Sequence, residues 1–242
     1  MDTGTVSVAS RSIWTIVGDV FLAPVKAFDA YKLKPTIVVP LILTIVLAAL
    51  SGGLPYKQGA EAQIEMLSTS TTLPPPVLEQ MRQSAENPSP ISSTLGGGIG
   101  LVIISLLGAL LAWFIGSFIL GKKAKYSHVW GVEMLAGLIG LVGAVLRSLL
   151  VVAKDDLFVS IGPAALMPGK DFTSILYSIF YFADVFAIWS MIVAGVGYAA
   201  IFGFSRGKGI AVSLTVWLVS IIIFVSMQLI GLSIAGVKVT FI

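Results

Sequence analysis

Five long apolar stretches dominate this chain and constrain its fold more than any other feature. Each one reaches or exceeds the roughly 20 helical residues that cross the hydrocarbon core of a bilayer. Their apolar residues are continuous rather than alternating, which is typical of helices, and helices satisfy their own backbone polar groups in lipid. The sequence therefore predicts an all-α, polytopic membrane bundle with five transmembrane helices: Pro35–Leu54, Gly97–Leu120, Gly131–Ala153, Phe172–Phe204 and Ile210–Ala235.

The low charge content leaves little of the chain for a soluble domain. Of the 242 residues, 57% are hydrophobic and 11% are charged, whereas soluble domains carry about 25% charged residues. We predict two parts, a cytoplasmic or interfacial segment at residues 1–34 and one membrane domain at residues 35–242. The five spans imply contact with membrane lipid, and the net charge of +3 is too small to predict nucleic-acid binding.

Sequence motifs for catalysis, cofactors and metals are missing. The chain has no cysteine and one histidine, which excludes Cys-based centres and any two-His site. The glycine-rich Gly96–Gly100 opens a span and lacks the lysine and hydroxyl of a P-loop. A membrane serine protease would need a histidine or lysine at span depth, and neither is present there. We predict a non-enzymatic protein with no cofactor and no metal.

Lysine and arginine predict the orientation of the bundle, because short cytoplasmic loops are enriched in them. The turns Gly121–Trp130 and Ser205–Gly209 are short, basic and free of acids. Placing both turns in the cytoplasm predicts a cytoplasmic N-terminus and a C-terminus outside. The cytoplasmic basic residues are then Arg11, Lys26, Lys32, Lys34, Lys122, Lys123, Lys125, Arg206 and Lys208.

The segment before the first span has apolar residues at helical spacing and predicts a short amphipathic, interfacial helical segment. Trp14 and Tyr31 are residue types that favour the headgroup zone. Such a segment either lies in the membrane interface with its apolar face down or packs under the bundle. Pro24 interrupts the pattern, which predicts two short helices. The apolar positions are Ile13, Val17, Val20, Phe21, Val25 and Phe28.

The longest polar stretch is the outer loop at residues 55–95. Helical pieces are predicted around Gln58–Leu67 and at Val77–Ala85, separated by the stiff Pro74–Pro76. Loops of this length are usually functional or disordered. We interpret this one either as a partly mobile cap or as a docking surface for a partner outside the membrane.

Small residues recur at every fourth position on two of the spans and predict close helix packing. Such rows let helix backbones approach each other in lipid. A compact bundle explains them, and a homo-oligomer interface is the alternative. The second span contributes Gly108, Ala112 and Gly116, and the third contributes Ala136, Gly140 and Ala144.

Arg147 and Asp184 are charges that lie well inside the predicted spans. An isolated charge at mid-bilayer is costly, so such groups are usually paired or functional. The third and fourth spans run antiparallel, which puts the two side chains at matching depths in the outer half. Two roles follow: a structural ion pair, or a polar site that receives a lipid headgroup or a substrate.

A second polar group is predicted at the inner end of the third span. Glu133 lies near the start of this helix, where the helix dipole favours a carboxylate. We expect it to be interfacial and to lie near the basic turn that precedes it. The members of this inner-interface cluster are Lys122, Lys123, Lys125, His128 and Glu133.

The order of these features resembles a known family. An amphipathic segment precedes a first span that begins with lysine and then proline, a long outer loop follows, and a basic turn opens directly into the last span. The matching motifs are Phe21–Pro24, Phe28, Trp113, Ile188–Trp189, Gly195–Tyr198 and Ser205–Gly209. In this order the chain is similar to bacterial members of the Yip (Ypt-interacting protein) domain family of five-span integral membrane proteins.

The resemblance implies architecture more than activity. Eukaryotic members are associated with Rab-type GTPases and vesicle traffic, and they carry a long cytoplasmic N-terminal region with an Asp-Leu-Tyr-Gly-Pro type motif. Here Phe21–Pro24 stands where that motif would be, and the region before the first span is short, which argues against a GTPase partner. For location, the resemblance implies the bacterial inner membrane.

Two hypotheses for function follow from the sequence. The favoured one is a scaffold or accessory subunit that binds a membrane-protein partner, because the spans hold few polar groups to line a pathway. The alternative is a transporter or binder of a lipid or small molecule that uses Arg147 and Asp184.

Overall fold

The computed structural model describes residues 11–68, 70, 72–167, 173–237 and 240, and these residues form an all-α bundle. The predicted fold class is therefore confirmed. The first ten residues of the predicted segment 1–34, and Phe172 at the start of the fourth predicted span, lie outside the described residues. The helices are α1 Ile13–Leu22, α2 Pro24–Tyr31, α3 Val38–Gly53, α4 Tyr56–Ser68, α5 Pro75–Glu86, α6 Pro90–Phe114, α7 Tyr126–Lys154, α8 Ile175–Tyr181, α9 Val185–Phe202 and α10 Arg206–Ile234.

Four of these helices are long and apolar enough to cross a membrane: α7, α9, α10, and α6 together with the π-helical turn Ile115–Ile119. Helix α3 has 16 residues, about 24 Å at 1.5 Å per residue, which is shorter than a bilayer core. It meets the same test only together with α4, from which it is bent by 54°. The described residues thus contain four candidate spans, or five if α3 and α4 form one bent span.

The fourth predicted span divides into two helices at Phe182–Asp184. Helix α8 ends at Tyr181, and α9 begins after Asp184, whose side chain accepts a hydrogen bond from the backbone N–H of Ala187. An aspartate in this position satisfies one of the free N–H groups at a helix start. The long apolar stretch is therefore a short helix followed by a span, and Asp184 occupies the N-cap.

The outer loop forms a helical hairpin of α4 and α5, which we call the outer hairpin. The two predicted helical pieces fall inside these helices, but the loop ends earlier than predicted, because α6 already begins at Pro90. The hairpin is tied to the bundle by a 2.8 Å hydrogen bond from Gln58 to Asp155 and by a 2.5 Å bond from Thr72 to the carbonyl of Ile234. These contacts define one end of the bundle, the hairpin side. The opposite end, where α1 and α2 lie, is the N-terminal side.

Helices α1 and α2 pack beneath the bundle on this N-terminal side. They are separate helices, as Pro24 predicts. Phe28 and Tyr31 are fully buried, and each fits against a glycine of a span. A Cβ atom at Gly197 would lie 2.9 Å from the Phe28 ring, and a Cβ atom at Gly131 would collide with the Tyr31 hydroxyl. The apolar face of this segment is thus seated on α7 and α9, while Trp14 on α1 stays 63% exposed.

Candidate functional site

A cavity of about 310 Å³ lies inside the bundle, bordered by α3, α6, α7, α9 and α10. Its wall on α7 runs from Glu133 to Ala144, which corresponds to about 16 Å along the helix axis. Apolar and small residues form most of the lining, including Met134, Met191 and Trp217. This volume is at the lower end of the range of small-molecule pockets, which begins near 300 Å³.

Glu133 supplies the charged group of this cavity. One carboxylate oxygen, Oε2, accepts a hydrogen bond from the hydroxyl of the fully buried Tyr198. The other oxygen, Oε1, faces α6, where a Cβ atom at Gly108 would approach it to 3.0 Å. No cationic side chain is among the described residues that line the cavity. Glu133 is therefore held at one oxygen, while the other oxygen lies against α6 with no hydrogen-bond partner among the described residues.

The described residues that line the cavity include five with hydroxyl side chains, and four of these hydroxyls donate to backbone carbonyls of the bundle. Ser190 donates to the carbonyl of Ala136, and Ser213 donates to the carbonyl of Met191, each across a helix–helix contact. Ser105 and Ser220 bond to carbonyls of their own helices. The exception is Thr44 on α3, whose buried hydroxyl has no hydrogen-bond partner in the part of the chain that the structure describes.

Arg147 and Asp184 form an ion pair near the hairpin side, just beyond the end of the cavity. Their closest nitrogen and oxygen are 2.9 Å apart, and their side chains are 16% and 5% exposed. The guanidinium also lies over the ring of Tyr181, 4.6 Å from its centre. The connection between α7 and α8 covers the pair closely, since a Cβ atom at Gly162 would come within 2.9 Å of the Asp184 backbone.

The inner-interface cluster does not assemble around Glu133. Lys122, Lys123 and Lys125 are exposed and His128 is half-buried. The carboxylate points to Tyr198 on α9, 65 positions further along the chain. The structure thus places Glu133 in the interior and leaves the basic turn on the surface.

The six predicted packing positions all lie on faces that turn toward the bundle. Ala112 and Ala136 are buried in the core. Gly116 lies against the ring of Phe202, which a Cβ atom would overlap. The remaining three surround the cavity, with Gly140 and Ala144 in its wall and Gly108 against Glu133.

Two site residues, Tyr198 and Thr44, were not predicted from the sequence. Tyr198 lies in the Gly195–Tyr198 motif, where it marked only the family resemblance. Its pairing with a carboxylate 65 positions away, on the preceding span, depends on how α7 and α9 are rotated, which hydropathy does not encode. Thr44 is one hydroxyl in an apolar span, a signal too common to single out.

Comparisons with known proteins place the chain in a family. The family model of the Yip1 domain matches residues 18–227, which covers most of the chain and all four long spans except the last residues of α10. Searches of curated proteins and of solved structures return no match. The extent of the family match, together with a helical bundle of membrane-spanning length, shows that this chain belongs to the Yip1 domain family.

Proposed function

We propose that this Yip1-family membrane protein is a non-enzymatic scaffold or accessory subunit that binds a partner protein through its outer hairpin. The observation that carries this proposal is the hairpin itself. The longest connection in the chain is folded into two helices, and its glutamates Glu61, Glu65, Glu79 and Glu86 are all exposed.

The charge of the hairpin suggests the chemistry of the partner. Helices α4 and α5 carry these four glutamates against two cations, Lys57 and Arg82. Complementary charge at an interface speeds association and suppresses wrong partners. A partner with a basic surface on the hairpin side therefore fits best.

The ion pair supports a binding role over a transport role that uses Arg147 and Asp184. Both oxygens of Asp184 are engaged, one by Arg147 and one by the N–H of Ala187. A substrate would have to displace these bonds and uncap α9. We assign the pair the role of a clamp between α7 and α9, and we place the protein in a bacterial inner membrane with its N-terminus in the cytoplasm.

Purification from its own membranes in mild detergent, followed by native mass spectrometry, tests this function. We expect a second protein at fixed stoichiometry with the unmodified chain. Replacing all four hairpin glutamates by glutamine should remove that protein. The matched control is Asp29→Asn, which neutralises an exposed acid on the N-terminal side and should retain it. A bare chain or a homo-oligomer with no second protein would contradict the proposal.

A further inference from the structure

We propose that the internal cavity is a binding site for a lipophilic amine, with the protonated amine on Glu133 and the apolar body between α6 and α10. This site goes beyond the partner-binding function, because it lies inside the bundle and involves no residue of the outer hairpin.

The charge of the cavity selects the amine. A carboxylate in a low-dielectric interior is stabilised by a nearby cation or by hydrogen-bond donors. Tyr198 donates to Oε2, but no lysine, arginine or histidine is among the described residues that line the cavity. An ammonium group would supply both the opposite charge and a donor for Oε1.

The rest of the lining selects a mostly apolar body with little hydrogen bonding. The serines around the cavity already donate to backbone carbonyls, so they offer few donors to a ligand. Met134, Met191 and Trp217 provide apolar contact area. The unpartnered hydroxyl of Thr44 lies in the wall formed by α3 and offers one further polar contact.

The volume of the cavity limits the size of the ligand. Its volume of about 310 Å³ equals the liquid volume of about ten water molecules. An eight-carbon alkylamine, or the amine and the adjoining segment of a membrane lipid, is of this size. Helices α6 and α10 both line the cavity, and α6 packs less extensively on α10 than on α7. A ligand would enter from the bilayer between these two helices.

Two variants test the charge of Glu133 and the open volume of the cavity separately. Glu133→Gln removes the charge while keeping the shape of the side chain and an oxygen for the Tyr198 hydroxyl. Gly137→Leu fills the cavity and keeps the charge, since a Cβ atom at Gly137 would have nothing within 4 Å. The second variant also keeps the test decisive if the first one fails to fold.

The experiment measures octylamine binding to the protein in phosphatidylglycerol nanodiscs, by tryptophan fluorescence and by the shift of the thermal unfolding midpoint. Octanol is the matched neutral probe, and Trp217→Phe identifies the part of the signal that comes from the cavity. We expect octylamine to bind and to raise the midpoint. Either cavity variant should weaken its binding at least tenfold, and octanol should be at least tenfold weaker than octylamine.

The source of the amine is distinguished by a second set of nanodiscs that contains phosphatidylethanolamine. If this lipid raises the midpoint of the unmodified chain but not of Glu133→Gln, the amine is a lipid headgroup. If octylamine raises the midpoint of the unmodified chain and phosphatidylethanolamine does not, the ligand is a free lipophilic amine. The proposal is overturned if neither amine binds, if octanol binds as well as octylamine, or if the folded variants bind octylamine with unchanged affinity.

Discussion

Two carboxylates lie inside this bundle, and they are held in opposite ways. Asp184 uses both oxygens, one in the ion pair with Arg147 and one in capping α9. Glu133 uses one oxygen for Tyr198, and its other oxygen lies against Gly108 on α6, beside the cavity. A buried charge with every partner in place is part of the architecture, whereas one with a partner still missing has capacity for a ligand. The difference separates the clamp on the hairpin side from the candidate site deeper in the bundle.

The largest effect should come from removing the fully engaged carboxylate. Asp184→Ala leaves Arg147 buried without its counter-charge and removes the N-cap of α9. Breaking a buried pair in this way costs about 3–5 kcal/mol, so we expect a loss of that order in the free energy of unfolding. Reversible unfolding in mixed micelles measures it.

The surface ion pair between Asp29 and Lys32 is the matched control for this substitution. Its atoms are 2.8 Å apart, close to the separation in the buried pair, but its side chains are about half exposed. Exposed pairs contribute about 0–1 kcal/mol, so Asp29→Ala should cost little. Equal losses for the two substitutions would contradict the assignment of Arg147 and Asp184 as a clamp.

Two glycines of α7 should respond in opposite directions to the same substitution. A Cβ atom at Gly143 would lie 2.6 Å from the ring of Phe186, so Gly143→Ala overpacks a tight contact and should destabilise by about 1–3 kcal/mol. Gly137 faces the cavity with open space around it, so Gly137→Ala should stabilise the helix by about 0.5–1 kcal/mol. Unfolding of the two variants side by side measures both. Losses of similar size would mean that the cavity is not open at Gly137.

Glu133→Gln should change stability less than any substitution at the ion pair. The glutamine oxygen can still accept the hydrogen bond from Tyr198. The weaker neutral hydrogen bond costs about 1 kcal/mol, and removing a buried charge that has no counter-ion in the described lining offsets part of that cost. Unfolding in the absence of any amine measures this quantity. A loss as large as that of Asp184→Ala would show that Glu133 is as fully engaged as the clamp.

The smallest effect is expected at Thr44. Its hydroxyl is buried and unpartnered, and valine has the same shape without the polar atom. Thr44→Val should therefore leave the free energy of unfolding unchanged or raise it by up to about 1 kcal/mol. Thr215→Val on the exposed surface of α10 is the control, because that hydroxyl already bonds to the carbonyl of Ala211. A marked loss at Thr44 would indicate that its hydroxyl has a partner in the folded protein.

The spans could be predicted from the sequence because lipid imposes a strong rule on length and hydropathy. The same rule located Arg147 and Asp184 as exceptional groups at matching depth, and antiparallel helices bring them together. It could not show that Asp184 begins a helix, because the apolar stretch continues on both sides of it. Capping depends on one local hydrogen bond, which leaves no trace in hydropathy.

The environment of Glu133 was harder to predict for a different reason. Its position in the sequence, just after a basic turn, favoured the membrane surface. Whether it faces lipid, water or the interior depends on the rotation of α7. Two contacts set this rotation: Gly131 lies against Tyr31, and Val132 lies against Gly197, beside Phe28. Those contacts come from residues far away in the chain, so no local pattern reports them.

The seating of α2 beneath the bundle has a mechanical consequence. Phe28 lies against Gly197 on α9, and Tyr31 lies against Gly131 on α7, so α2 is seated on both helices that carry the Glu133–Tyr198 bond. Lifting α2 from the N-terminal side would therefore remove both aromatic rings from these two helices. The two rings thus connect the N-terminal side of the bundle to the helices that form the inner end of the cavity.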